Sequence, residues 1–209
     1  MDTKIISYTL GPLENNSFLI IDPLTNKAAI VDPSFGSEKI MKDMNEHYSI
    51  CQIWCTHAHF DHIAGINEII PNLSHPVEIL LHENDLALWE SNGGANIFGF
   101  PFEIKSKPSR LLQNDDSFKL GELEINSFFT PGHTSGHVIY SIKNENVVFV
   151  GDLIFRMSVG RTDLPGGNHL QLLKSIDNYI KPLPDDTRLL SGHGPETTVG
   201  YEKKYNPFL

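Results

Sequence analysis

Three imidazoles and one carboxylate fall within six consecutive positions, His57-Ala58-His59-Phe60-Asp61-His62. The apolar stretch Ile50 to Thr56 before them reads as a buried strand. Alternation at the end of that strand aims His57 and His59 to one side, and a turn into a helix can bring Asp61 and His62 to the same space. Imidazole nitrogens and carboxylate oxygens are the donors that divalent transition metals prefer. Four such groups packed together without a cation would be costly to desolvate. Three further sites have the same form: Gly132-His133, Gly151-Asp152 and Gly192-His193 each follow a predicted strand, where glycine lets the backbone turn sharply. Ligands gathered at strand ends are what a rigid two-metal cleft needs. A lone His-x-His pair arises by accident; the full set at strand ends is a far more specific signal. His47, His75, His82, His137 and His169 have no comparable partners and read as structural or surface residues, and Asp32 reads as a turn or supporting group.

The elements that must position these residues are short. Strands are expected at Ile5 to Leu10, Ser17 to Asp22, Lys27 to Val31, Ile50 to Thr56, Val77 to Leu81, Leu123 to Phe129, His137 to Ile142, Val147 to Val150 and Thr187 to Ser191. Ser37 is placed to cap a helix whose Ile40, Met41, Met44 and Tyr48 share a face. Apolar spacing predicts helices over His62 to Ile70, stopped by Pro71, over Glu83 to Glu90, and over Asn168 to Ile180. Ser91 to Pro108, rich in Gly, Pro and Phe, reads as a long loop: either a lid with exposed aromatics, or a surface loop whose Phe residues tuck into the core. The pattern strand, polar turn, strand, Asp occurs twice, ending at Asp32 and Asp152. Two related halves of this kind would give two mixed sheets packed face to face with helices outside.

Length and charge narrow the function classes. The chain has 209 residues, which suits a single domain over 1–209. With 16 basic against 26 acidic residues the net charge is −10, so neither nucleic acid nor a membrane surface is an expected partner. The longest purely apolar runs are four residues, too short to span a bilayer, and the N-terminus is too polar for a signal peptide. Cys51 and Cys55, four apart on one strand, are beyond disulfide reach, so a reducing, cytoplasmic location is the default. A small-molecule substrate and a monomer or homodimer are expected.

The motif His57-x-His59-x-Asp61-His62, followed by His133, Asp152 and His193, resembles the metallo-β-lactamase superfamily over nearly the whole chain. Thr130-Pro131-Gly132-His133-Thr134-Ser135-Gly136-His137, Gly151-Asp152-Leu153-Ile154-Phe155 and Gly160-Arg161-Thr162-Asp163 look most like its small glyoxalase II-like hydrolases. The resemblance implies an α/β (α+β) fold, a four-layer αββα sandwich with metals at one edge. By it, His57, His59 and His133 would hold a first divalent ion, Asp61, His62 and His193 a second, and Asp152 both. Zinc is the first expectation, with iron or manganese also compatible.

Two cations sharing a water would hold hydroxide ready for attack on a carbonyl carbon, with Asp61 orienting it. No separate strong acid is evident near the motifs, which favours a thiolate leaving group over an amine or alkoxide. A thioester such as hydroxyacyl-glutathione fits best. Two departures weigh against that substrate. Only 16 residues follow His193, where full-length glyoxalase II enzymes carry a helical domain, and Arg161-Thr162-Asp163 stands where that family has a Lys and a Tyr. Arg161 could pair with a substrate carboxylate or with Asp163. A mono-iron persulfide dioxygenase, a lactonase-type hydrolase and a non-catalytic metal-binding module remain alternatives. A true β-lactamase is disfavoured, because Asp152 stands where many such enzymes place a Cys ligand.

Overall fold

The structure, a computed structural model, describes residues 3–44 and 48–209; His47 lies outside them. β1 (Lys4–Leu10), β2 (Asn15–Ile21) and β3 (Lys27–Val31) run antiparallel in sequence. α1 (Glu38–Asp43) leads to β4 (Ser49–Trp54), which lies parallel to β3. α2 (Phe60–Ile63) and α3 (Ile66–Ile69) precede β5 (Glu78–His82); α4 (Leu86–Glu90) follows, and β6 (Arg110–Leu112) completes a six-stranded sheet. A meander of β7 (Asp116–Leu120), β8 (Leu123–Phe129), β9 (Val138–Ile142) and β10 (Val147–Gly151) starts the second sheet. A two-stranded ribbon, β11 (Ile154–Phe155) with β12 (Ser158–Val159), and helix α5 (His169–Tyr179) intervene before β13 (Arg188–Ser191) pairs parallel to β10. β14 (Thr197–Thr198) and α6 (Val199–Tyr205) end the chain, and the second sheet is ordered β14-β13-β10-β9-β8-β7.

Alternation along the strands explains the layering. In β2, Phe18 and Ile20 enter the layer between the sheets, while Leu19 and Ile21 face the layer under the first group of helices. The inter-sheet layer joins Trp54, Leu80 and Val31 to Tyr140, Phe149 and Leu190. Ile40, Ile63, Ile66 and Trp89 cover the outer face of the first sheet. Leu172 and Ile176 of α5, with Val199 of α6, cover the second. The result is the expected αββα sandwich of two mixed sheets. Among the described residues no helix is long and apolar enough to cross a membrane. Cys51 and Cys55 are both free thiols.

Several expected elements differ. The helix over His62 to Ile70 is broken into two single turns and a 3-10 turn at Ile70–Asn72 that contains Pro71. The break falls at Gly65, whose N–H donates to the Pro33 carbonyl at 2.9 Å instead of continuing the helix, and where a Cβ would stand 2.3 Å from the Ser34 carbonyl oxygen. The Ser37 hydroxyl donates to the Ser34 carbonyl at 2.7 Å instead of capping α1, which ends at Asp43 before Met44 turns extended. Ser91 to Pro108 contains 3-10 turns over Asn92–Phe98. Both readings of its aromatics hold in part: Phe100 and Phe102 pack against Phe35, while Phe98 stays 42 % exposed. The repeated hairpin is present as β2-β3 and β9-β10, each followed by a parallel neighbour, β4 or β13. β6, β7, the β11-β12 ribbon, β14 and α6 were not anticipated.

Phe149 is fully buried between the sheets, with its ring centroid 5.3 Å from that of Phe18. Phe149→Ala is expected to destabilise the fold by about 3–5 kcal/mol through the cavity it leaves. Urea unfolding checks this; a loss under about 1 kcal/mol would mean that the two sheets do not depend on this contact.

Candidate metal centre

The parallel strands β3, β4, β10 and β13 deliver their C-terminal ends to one edge of the sandwich. After β4 the chain bends at Thr56 and His57, His59 is extended, and α2 starts at Phe60, so Asp61 and His62 sit in its first turn. His133 follows β8 at Gly132, where a Cβ would collide with the Leu172 backbone at 2.2 Å. Asp152 follows Gly151, held at φ +48°, and His193 follows β13.

All seven of these side chains meet. His133 Nε2 lies 2.9 Å from His59 Nδ1 and 3.2 Å from His57 Nε2. Beside this trio, His62 Nε2 is 3.6 Å and His193 Nε2 3.2 Å from Asp61 Oδ2. Asp152 stands between the two groups, with Oδ1 3.4 Å from His62 Nε2 and Oδ2 3.5 Å from His133 Nε2.

Hydrogen bonds on the outer side of four of the five rings, all but His59, orient them. His133 Nδ1 donates to the Arg161 carbonyl at 2.8 Å, and His193 Nδ1 to the Leu13 carbonyl at 3.0 Å. His62 Nδ1 donates to Asp32 Oδ2 at 3.0 Å. The Thr56 hydroxyl gives its proton to the same Asp32 oxygen at 2.6 Å, so it accepts from His57 Nδ1 at 3.0 Å. The Nε2 atoms of these four rings therefore point inward. His62 Nε2 and Asp152 Oδ1 are buried with no hydrogen-bond partner. Converging lone pairs and orphaned donor atoms fit a cation, and a nitrogen and oxygen set of this kind fits a divalent transition metal.

Electrostatics agree. Burial, reinforced by neighbouring imidazoles, holds His57 well below its usual pKa, as a neutral ligand requires. The same burial takes His59 to about 3 and His133 to about 4. Burial also opposes charge on Asp61 and His62, but the pair overcomes it: His62 and His193 hold the Asp61 carboxyl low, and Asp152, Asp61 and Asp32 raise His62 to about 10. A cation arriving at neutral pH must therefore displace the His62 proton. Asp61 and Asp152 also raise His193 against its burial, so metal titration by calorimetry in buffers of different ionisation enthalpy is expected to show at least one proton released per chain on filling the second group. Release of none would contradict this assignment of charge.

Two supporting residues were not read from the sequence. Asp85 is buried, accepts from Ala58 N at 3.0 Å, the Thr134 hydroxyl at 2.8 Å and Gly136 N at 2.6 Å, and so ties the His57–His62 segment to the His133 loop. Burial pushes its pKa up although all three donors pull it down. No local signal marked it; its packing partner Gly136, where a Cβ would lie 2.5 Å from the Asp85 nitrogen, is 51 residues away. His137 accepts from Asp152 N at 3.2 Å and donates to the Thr130 hydroxyl at 2.9 Å, a structural part with a direct hold on Asp152. Asp32 is likewise a supporting group. Asp85→Ala is expected to cost about 2–5 kcal/mol and to weaken metal retention, because three donors lose their partner. Thermal unfolding and metal content after dialysis check both effects; retention equal to the parent protein would refute the tie.

The cleft over these groups holds about 430 Å³ and is walled by Leu13, Phe60, Phe98, Phe155, Val159 and Leu164. Arg161 stands at its rim, with its guanidinium paired to Asp163 at 2.7 and 2.8 Å.

Residues 10–193 match the Metallo-beta-lactamase superfamily. The chain belongs to that superfamily. It is 38 % identical to the probable metallo-hydrolase YqgX of Bacillus subtilis, over 96 % of this chain and 94 % of that protein. It is 35 % identical to the hydroxyacylglutathione hydrolase GloC of Haemophilus influenzae, over 100 % and 98 %. Among solved structures, BLEG-1 B3 metallo-beta-lactamase superposes with a TM-score of 0.88 at 38 % identity, over 99 % of each chain. TTHA1623 in a di-iron-bound form gives 0.85 at 34 %, over 98 % of this chain and 100 % of that one. The protein is thus a metallo-hydrolase of this superfamily, and the seven converging side chains are its candidate metal ligands.

Proposed function

We propose that this metallo-hydrolase is a thioesterase acting on hydroxyacyl-glutathione or a similar thioester. The observation that carries this reading is the cleft lining. Beyond the ligand set, its described lining residues are apolar apart from Ser158 and Arg161, so no carboxylic acid, lysine, tyrosine or thiol lies there to protonate a departing group. A thiolate, with a pKa of about 8.5, leaves without such help. GloC supports the same substrate and spans the same length as this chain, so the short segment after His193 is no objection to it.

In this reading His57, His59 and His133 would hold one divalent ion, Asp61, His62 and His193 would hold a second, and Asp152 would serve both. When bound, the ions would supply an acidified water and polarise the carbonyl oxygen. Asp61 lines the cleft and orients the attacking water. Phe98, Phe155 and Leu164 exclude bulk solvent around the acyl group. Arg161, exposed at the rim, can exchange Asp163 for a substrate carboxylate. Zinc suits the thiolate-free donor set, as do iron and manganese, and the di-iron form of TTHA1623 keeps iron in play. The free thiols of Cys51 and Cys55 suit a reducing compartment such as the cytoplasm.

Metal analysis of the purified protein is paired with hydrolysis of S-lactoylglutathione. Turnover is expected, lost on chelation and restored by added Zn²⁺. Arg161→Ala should raise KM about tenfold, the equivalent of about 1.4 kcal/mol, with kcat little changed. Metal-loaded protein that leaves the thioester intact sinks the proposal. Oxygen uptake with glutathione persulfide would then favour the dioxygenase reading. Opening of a chromogenic cephalosporin would favour a lactamase, the reading that similarity to BLEG-1 supports.

A further inference from the structure

The cleft wall formed by Phe155, Ser158 and Val159 belongs to the β11-β12 ribbon, which has two residues in each strand. Isolated two-stranded pairs are marginal in water even when longer. Its turn includes Met157 at φ +64°, a conformation unfavourable for a side-chain-bearing residue. Something outside the ribbon must hold it.

Buried Ile154 is anchored by the Ser191 hydroxyl on its carbonyl at 2.9 Å, and the turn and the outer strand are held by the end of the chain. Glu202 on α6 is fully buried, and its carboxyl group receives Met157 N at 2.9 Å, the Asn206 amide at 2.8 Å and the Thr197 hydroxyl. Asn206 Nδ2 also reaches the Ser158 carbonyl at 2.9 Å, with the Phe155 carbonyl at 3.5 Å. The Arg156 guanidinium caps the Tyr201 ring at 4.8 Å from its centroid. Three side chains of one short segment thus grip the turn and both strands of the ribbon. None of them lines the cleft.

We propose that Glu202 and Asn206 are positioning residues which, by clamping this ribbon, set the size of acyl group the cleft admits. The proposal rests on the cleft being a hydrolase site, and not on the substrate being a thioester. Without the clamp the wall bearing Phe155 and Val159 loosens, and discrimination between small and bulky acyl groups falls. The metal edge, held by other bonds, is unaffected.

The test compares Glu202→Ala, Asn206→Ala, Glu202→Gln and Thr197→Val, with metal content measured for each. The substrates are p-nitrophenyl acetate, butyrate and octanoate, activated esters that report on the cleft even if the thioester assay fails. Glu202→Ala and Asn206→Ala are expected to change the acetate-to-octanoate ratio of kcat/KM at least fivefold, mainly through KM, at unchanged metal content. Amide hydrogen exchange over 155–159 should quicken in both. Glu202→Gln should restore the parent pattern, since the Gln oxygen can accept from Met157 N and Asn206 while its amide donates to Thr197. Thr197→Val, which touches the clamp away from the ribbon, should lower stability without changing selectivity. Should Glu202→Ala fail to fold, Asn206→Ala carries the test. Unchanged selectivity and exchange in Asn206→Ala, or a selectivity change as large in Thr197→Val, overturns the proposal.

Discussion

The structure depends on one constraint: four of the five inward-facing imidazoles have their other nitrogen bound to a fixed oxygen. Thr56, Asp32, the Arg161 carbonyl and the Leu13 carbonyl meet this need for His57, His62, His133 and His193. An unpaired buried N–H would cost about 1–3 kcal/mol at each position and would leave the tautomer free. The acceptors come from four distant parts of the chain. The edge can therefore be assembled only when both sheets are in place.

The same edge is where the sheets are bonded to each other. Elsewhere their interface is mainly a layer of apolar side chains, which is non-directional, crossed by a few bonds such as Gln52 Nε2 to the Lys119 carbonyl at 3.2 Å and Glu122 N to Asp22 Oδ2 at 2.9 Å. At the edge, Val138 N donates to the Thr56 carbonyl at 2.8 Å and Asn16 N to the Gly192 carbonyl at 2.7 Å, so backbone from one sheet grips the other directly. Asp85 adds side-chain bonds across the same region, linking Ala58 N to Gly136 N. Hydrogen bonds convert loose sheet-on-sheet packing into a fixed geometry. That is why converging lone pairs can be tolerated at separations near 3 Å.

Legibility in the sequence followed the range of each physical signal. The ligand positions were readable because each combines a metal-binding side chain with a strand end or an adjacent glycine, both local features. Central strands such as β3 and β10 were readable as near-continuous apolar runs. Asp85 was not, since its importance lies in donors 27 to 51 residues away and its own neighbourhood reads as an ordinary turn. β11, β12 and α6 escaped for the same reason: they are too short to show a period, and their stability comes from contacts with each other. The helix expected after His62 failed because periodicity records which faces are apolar, whereas at Gly65 the backbone N–H turns to the distant Pro33 carbonyl.

Recognition and metal support are separated even within single residues. Arg161 serves the metal edge through its carbonyl, which accepts from His133, and serves the rim through its guanidinium. The first contribution belongs to the backbone and survives any side chain that keeps the same local conformation. The second is set wholly by the side chain. Leu13 has the same division, its carbonyl orienting His193 while its side chain walls the cleft. A scaffold built this way can hold its metal edge constant while the cleft walls change. The edge therefore specifies a reaction class, and the acyl and thiol groups it acts on are selected by Leu13, Phe98, the ribbon and Arg161.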